Sequence, residues 1–168
     1  MKTSIRKQEI IKKSEVLFKE KGYSAVTMRD IAQVMGMKAA SLYNHIKSKQ
    51  EILSEIILSL AEEFTTGMDA IVSSDKSTVE KLQDIISLHI TITTNHPNGM
   101  ASLNTDWMHL EEQLDYYLKL REDYEENFRQ IIINGISNKE ISVVNPEVML
   151  FSILSTLRSL YLWIPKKE

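Results

Sequence analysis

The chain has no cysteine. That excludes a disulfide framework, a thiolate nucleophile and any cysteine-ligated metal site, and it permits a reducing compartment. Three prolines and five glycines in 168 residues punctuate the chain too rarely for a strand-rich fold, so helix is predicted throughout. No apolar run reaches the length of a membrane span, and the basic start lacks the apolar core of a signal peptide. A cytoplasmic protein with no membrane partner is therefore expected. The four histidines, His45, His89, His96 and His109, lie far apart without metal-ligand spacing. Neither a glycine-rich phosphate loop, an HExxH pair nor a nucleophile elbow occurs. The expectation is a non-enzyme with no catalytic residue, no metal and no cofactor. The acidic groups from Glu111 to Glu126 read as the solvated face of a helix.

What is present is an ordinary globular balance, 43% hydrophobic and 26% charged, for one domain or two closely packed ones. The net charge of −3 conceals an asymmetry. Residues 1–50 hold eleven Lys and Arg against four acids, whereas the remaining 118 hold nine against nineteen. A basic head on an acidic body suits a protein whose head alone meets a polyanion.

The head centres on residues 27–49, TMRDIAQVMGMKAASLYNHIKSK. Thr27 is a good N-cap, and Asp30 three residues on completes a capping box. Ile31, Val34 and Met35 form one apolar stripe of a short helix, which Gly36 ends by entering the left-handed region. A second short helix, about 38–44, turns Leu42 and Ile46 inward. Two short helices joined by a glycine turn describe a helix-turn-helix, whose second helix lies in a major groove. Ala39 and Ser41 are small enough to let that helix approach base edges. Lys38, Ser41, Tyr43 and Lys49 offer donors to phosphate oxygens. Thr27, Arg29, Asn44 and His45 complete the candidate DNA-contacting set. Two ordinary core helices with a solvated polar face would share the pattern.

The flanking residues resemble the TetR family of bacterial transcriptional regulators. Ile10, Ile11, Leu17 and Phe18 precede Gly22-Tyr23 as in that family's first helix. Thr27, Ile31-Ala32, Gly36, Leu42-Tyr43, His45, Ser48-Lys49 and Leu53 follow at the family's spacing, without a gap. Ser14 stands where alanine is usual, Ile46 where phenylalanine is usual, and Met37-Lys38 where valine-serine is common. The resemblance covers the first third of the chain. It implies an all-α fold, with a three-helix DNA-binding head (1–47) on a helical effector-binding and dimerisation body (48–168).

The body reads as further helices: about 48–72, 77–95, 100–110, one from 111, and a last one opened by Asn145-Pro146 and stopped at Pro165. An apolar ligand pocket among them, with a few placed polar groups, is the functional reading of their composition. Candidate lining residues are Phe64 and Met68, then His89 and Thr93, then Leu103 and Trp107. Tyr117, Arg121, Tyr124, Phe151 and Leu154 complete the set. Each apolar one could equally be ordinary core. Arg121 could meet an anionic ligand group or pair with Asp115, Glu122 or Glu125. The run 120–129, with Ile132, Gly135 and Trp163, resembles the C-terminal domain of TetR members that respond to acyl-CoA thioesters. That implies an acyl-CoA or other lipid-like effector.

The last helix is apolar nearly all round and needs cover, which a second subunit would give. The resemblance implies a homodimer through the C-terminal helices. The chain stops roughly one helix earlier than that family usually does. Either it is truncated or its dimer surface is smaller or differently built. The expected function is a ligand-responsive repressor that binds a palindromic double-stranded operator and is released by its effector. An acyl-thioester enzyme or carrier, and a helical protein adaptor, are the rivals.

Overall fold

Ile10, Ser14, Leu17 and Phe18 recur at helical spacing, and all four are buried. They are the inner stripe of α1 (Lys2–Lys21), and lysines cover its outside. The computed structural model describes residues 2–164, with side chains from Ile5 onward. Buried Ser14 satisfies its hydroxyl locally, donating to the Ile10 carbonyl at 2.8 Å. Gly22, at φ +81°, turns the chain after α1 into a 3-10 turn, Tyr23–Ala25.

Thr27 caps α2 (Met28–Val34) with the expected box. Its side chain accepts from Asp30 N, and Asp30 accepts from Thr27 N at 2.8 Å. These bonds from Thr27 favour the Asp30 carboxylate and lower its pKa. After α2, Gly36 N–H donates to Gln33 O and Met37 N–H to Ala32 O, each at 3.0 Å. With Gly36 at φ +63°, this is a Schellman stop. Val34 departs from the predicted stripe and is 45% exposed. The buried arc runs through Ile31 and Ala32, and Val34 lies roughly a sixth of a turn outside it.

The second helix of the motif, α3 (Ala39–Leu42), is shorter than the predicted 38–44. Beyond it, Asn44 N–H donates to Ser41 O and His45 N–H to Leu42 O, so the chain tightens to three-residue turns. Leu42 and Ile46 are buried as expected. The next helix, α4 (Lys49–Val72), opens with Glu51 N–H donating to the Ser48 hydroxyl.

The body continues with α5 (Thr78–Asn95), α6 (Gly99–Thr105), α7 (Leu114–Ser137) and α8 (Pro146–Arg158). Ser77 and Glu80 form a capping box at the start of α5. The helix predicted over 100–110 breaks at Asp106. Thr105 and Asn104 donate from their side chains to the Ala101 and Met100 carbonyls, competing with the backbone ladder. Two 3-10 turns follow, Trp107–His109 and Glu111–Gln113, with Glu111 at φ 46°. That postpones the start of α7 to Leu114. The last helix ends at Arg158, where Ser159 N–H is shared between the Ser155 and Thr156 carbonyls, and a 3-10 turn, Leu160–Leu162, follows. The stop expected at Pro165 lies outside the described residues. Among the described residues there is no strand, and no helix is long and apolar enough to cross a membrane.

Packing divides the chain into two units. One gathers the residues up to Leu60 with Asn98–Asp115; the other gathers Ala61–Pro97 with the residues from Tyr116 on. In the first, Ile52, Leu53, Ile56, Ile57 and Leu60 of α4 join Ile10, Phe18, Ile31, Leu42 and Ile46 in the buried core. In the second, Met68, Ile85, Ile92, Phe128, Ile132, Leu150 and Leu154 are buried. A stripe along α5 (Val79, Ile86, Ile90) stays exposed.

Two helices of the second unit meet at a glycine. A Cβ on Gly135 would stand 2.4 Å from Thr78 Cγ2 and 2.9 Å from Thr78 Cβ, inside van der Waals contact. Thr78 is itself tied down, because its backbone N–H donates to Glu140 at 2.5 Å. Gly135→Ala therefore gains helix propensity but forces α5 from α7. A net loss of about 1–3 kcal/mol is expected in urea unfolding.

Candidate nucleic-acid interface and interior polar site

The outer surface of the helix-turn-helix carries most of the candidate DNA contacts. Arg29, Lys38, Ser41 and Asn44 are exposed, and Tyr43 is 53% exposed. Lys38 occupies the N-cap position of α3 without using its side chain there, so its ammonium projects beside the helix start. Ala39 is half-buried. Thr27 is exposed, but its hydroxyl is taken by Asp30 at 2.6 Å. His45 is half-buried, and its Nδ1 is shut away from solvent.

Lys49 faces inward. Its Nζ donates to the carbonyls of Tyr23 and Val26, each at 2.8 Å, and stands 4.2 Å from the centre of the Tyr23 ring. Burial lowers its pKa. The ammonium stitches the turn after α1 onto the start of α4. Gln50 and His109 extend the knot. Tyr23 donates its hydroxyl to Gln50, Gln50 donates to the His109 carbonyl, and the His109 ring stacks on Tyr23 at 5.3 Å. Sequence reasoning missed this group, because His109 stands 86 positions from Tyr23 and no local pattern links them. Arg6 and Lys7, at the basic start of α1, are engaged with Glu9 and with Glu51 and Glu55 respectively.

The second unit brings part of the candidate pocket set together. Phe64 of α4, His89 of α5 and Tyr124 of α7 form a ring cluster, with centroids 4.6 Å apart for Phe64 and His89 and 5.9 Å for His89 and Tyr124. His89 Nε2 and the Tyr124 hydroxyl are 2.9 Å apart. Thr93 lies one turn from His89 and is fully buried, as are Met68 and Leu154. Arg121 lies beside Tyr117 and donates to Glu125 at 3.1 Å. Arg158, which sequence reading did not select, donates to the same carboxylate at 2.6 Å. Burial alone would raise the Glu125 pKa, but the bonds from Arg158 and Arg121 outweigh it and keep the group ionised. Phe151 does not join the cluster and is 40% exposed; Leu103 and Trp107 belong to the first unit. Among the described residues no group of three or more His, Asp or Glu could hold a metal.

Burial, then the nearby Arg158 guanidinium, push the His89 pKa down from 6.5 to about 3. Burial also raises the Tyr124 pKa. Both rings are therefore uncharged at neutral pH. The unfolded chain binds a proton at His89 below pH 6.5 that the folded chain refuses until near pH 3. Stability from this group is complete above pH 6.5 and is lost as pH falls towards 3. His89→Leu should flatten that part of a pH series of thermal melts.

The family model of the bacterial regulatory proteins of the tetR family matches residues 10–56, and that of the tetracyclin repressor-like C-terminal domain matches residues 75–167. The transcriptional repressor KstR2 of Rhodococcus jostii (strain RHA1) is 24% identical over 135 residues, covering 79% of this chain and 66% of the repressor. Across the KstR2 repressors it matches, the chain spans between 38% and 66% of their length. The crystal structure of PfmR, a TetR family regulator from Thermus thermophilus, superposes with a TM-score of 0.82 at 27% identity, over 92% of this chain and 85% of that one. AibR, crystallised with isovaleryl coenzyme A and operator DNA, superposes with a TM-score of 0.80 at 22% identity, over 94% and 86%. At that identity the likeness to AibR is one of fold. With both models matched, one over the head and the other over more than half of the residues, the chain belongs to the TetR family of bacterial transcriptional regulators, which are transcription factors and not enzymes.

Proposed function

We propose that this chain carries the DNA-reading and effector-binding parts of a cytoplasmic repressor that binds a palindromic operator as a dimer. An acyl-CoA or other lipid-like effector, bound in the body, releases it. The observation that carries the DNA part is the two-sidedness of the short α3. Leu42 and Ile46 are buried behind it, while Ser41, Tyr43 and Asn44 stand exposed in front, with Lys38 and Arg29 beside them. The excess of positive charge in residues 1–50 agrees with phosphate-led binding. In this reading residues 1–47 read DNA and residues 48–168 bind the effector and dimerise. The segment Asn98–Asp115 supports the head with which it packs.

Dimerisation is supported by an apolar face left open on and after α8. Val148 is 65% exposed and Leu162 53%, with Phe151 and Trp163 also exposed. Two-fold operator reading needs such a pairing, with half-sites about one helical turn or a multiple apart. The acyl-CoA reading is supported by the AibR complex with isovaleryl coenzyme A and by the interior polar site of the second unit. Effector binding favours a body conformation in which α4 tilts and the two heads move apart. The effector can do so only by its differential affinity for the two states.

A gel-shift with the DNA upstream of the chain's own gene tests the reading. Affinity should fall steeply with salt, and a salt-independent affinity would contradict it. Lys38→Ala should reduce the slope of log affinity against log salt by about one. Tyr43→Ala should weaken binding without moving the melting temperature. Lys49→Ala, by contrast, should lower the melting temperature, because it unties the carbonyls of Tyr23 and Val26. Turnover of an acyl thioester without DNA binding would favour the enzyme or carrier instead.

A further inference from the structure

Two neighbouring polar groups of the second unit are buried without a hydrogen-bond partner, His89 Nδ1 and Thr93 Oγ1. They lie one turn apart on α5, on the buried face they share with Ile85 and Ile92. A threonine hydroxyl in a helix can donate to the carbonyl four residues back. Thr65, Thr105 and Thr156 all do so here. Thr93 does not, so its hydroxyl is left to be satisfied from elsewhere.

The bond between His89 and Tyr124 fixes where the imidazole proton sits. If Nε2 carried it, the Tyr124 hydroxyl would accept and leave its own proton without an acceptor, and Nδ1 would be an orphan as well. If the Tyr124 hydroxyl donates to Nε2, only Nδ1–H is left over. The second arrangement leaves fewer buried polar groups unmade and is favoured. Nδ1–H and the Thr93 hydroxyl are then two donors, one turn apart, in need of an acceptor.

We infer that His89 and Thr93 form a seat for the carbonyl oxygen of the effector, an uncharged acyl group such as a thioester, ester or ketone carried on an apolar chain. This rests on the proposed reading of the body as the effector-binding part. The surroundings select the class. The buried Phe64 ring lies 4.6 Å from that of His89, and buried Ile92 precedes Thr93 in the chain; both suit a hydrocarbon chain. The pair itself is uncharged, so a carboxylate seated on it would lose its hydration without forming an ion pair with either group. The guanidinium groups of this unit are already engaged, Arg121 and Arg158 with Glu125, and Arg129 with Glu126 and Glu147. A single carbonyl oxygen, with two lone pairs, can accept both donors.

The test compares ligands that differ only in that oxygen, on the full chain by calorimetry. Isovaleryl-CoA is set against its thioether analogue, in which CH2 replaces the carbonyl. A medium-chain methyl ketone is set against the alkane of the same length. The carbonyl compound should bind about 10–100-fold more tightly than its partner. Thr93→Val keeps the side-chain shape, removes one donor and should shrink that ratio several-fold. It should not lower the melting temperature, since it deletes an unsatisfied hydroxyl. A hydroxyl with a merely structural role would move the melting temperature and leave the ratio alone. Equal binding of thioester and thioether would overturn the inference and leave the acyl-CoA reading standing. So would a preference that survives Thr93→Val. Preference for the ketone, with no binding of either CoA compound, would uphold the carbonyl seat and refute acyl-CoA as effector. Failure of all four to bind overturns both.

Discussion

A helix of four residues cannot hold itself. Nucleating a helical turn is unfavourable, and a single turn recovers almost nothing. The shape of α3 therefore depends on what Leu42 and Ile46 bury behind it. Each fully buried side chain contributes about 1.5–3 kcal/mol. The Schellman stop at Gly36 sets the angle at which the chain enters. Once those constraints act, Ser41, Tyr43 and Asn44 have nowhere to go but outward. The reading surface is a by-product of the burial on the opposite side, and its position is only as firm as that burial.

The same logic explains why Lys49 turns inward. In the turn from Tyr23 to Val26 the Tyr23 carbonyl accepts from Val26 N–H, and the Lys49 ammonium donates both to it and to the Val26 carbonyl. The Tyr23 ring gives that ammonium a second, electrostatic partner. Lysine beside a recognition helix invites a phosphate reading, but the carbonyls need a donor at every moment, bound to DNA or free. Gln50 and His109 then bring residues from beyond α5 in the chain into the head's own packing unit.

Local chemistry made much of this legible beforehand. Both capping boxes, the glycine stop, and the buried faces of α1, α3 and α4 follow from residue type and spacing alone, since their partners lie within a few positions. Departures arose where two local tendencies compete or where partners are remote. Val34 reads as apolar stripe, yet the arc through Ile31 and Ala32 leaves it outside. The segment after Met100 reads as one helix, yet from Asp106 its backbone bonds shorten to three-residue turns, His109 N–H to Asp106 O and Leu110 N–H to Trp107 O. Arg121 could be read to pair with Glu125 from their four-residue spacing. Arg158, on the same carboxylate, could not, because it stands 33 positions away. Phe151 was indistinguishable from core by composition, and only the placement of Leu150, Leu154 and Leu157 on one stripe turns it outward.

An interior that keeps two unmade donors gives up stability, of the order of 1–3 kcal/mol for each. An apolar pair of similar shape would fold more firmly. A cost of this kind is repaid by any ligand that supplies the acceptor, so the deficit becomes affinity. Affinity alone does not move a repressor off its operator; that takes a difference between two states. Chain connectivity offers a route. The seat is carried by α5 and tied to α7 through the bond from Tyr124 to His89. The first of these helices ends at Asn95 and the second begins at Leu114. Between them runs the segment Asn98–Asp115, which carries His109 and packs with the head. On the proposed reading, an occupant that shifted His89 against Tyr124 would act on that segment from both ends. Tyr23, the residue on which His109 stacks, is where the pull would reach the base of the reading head.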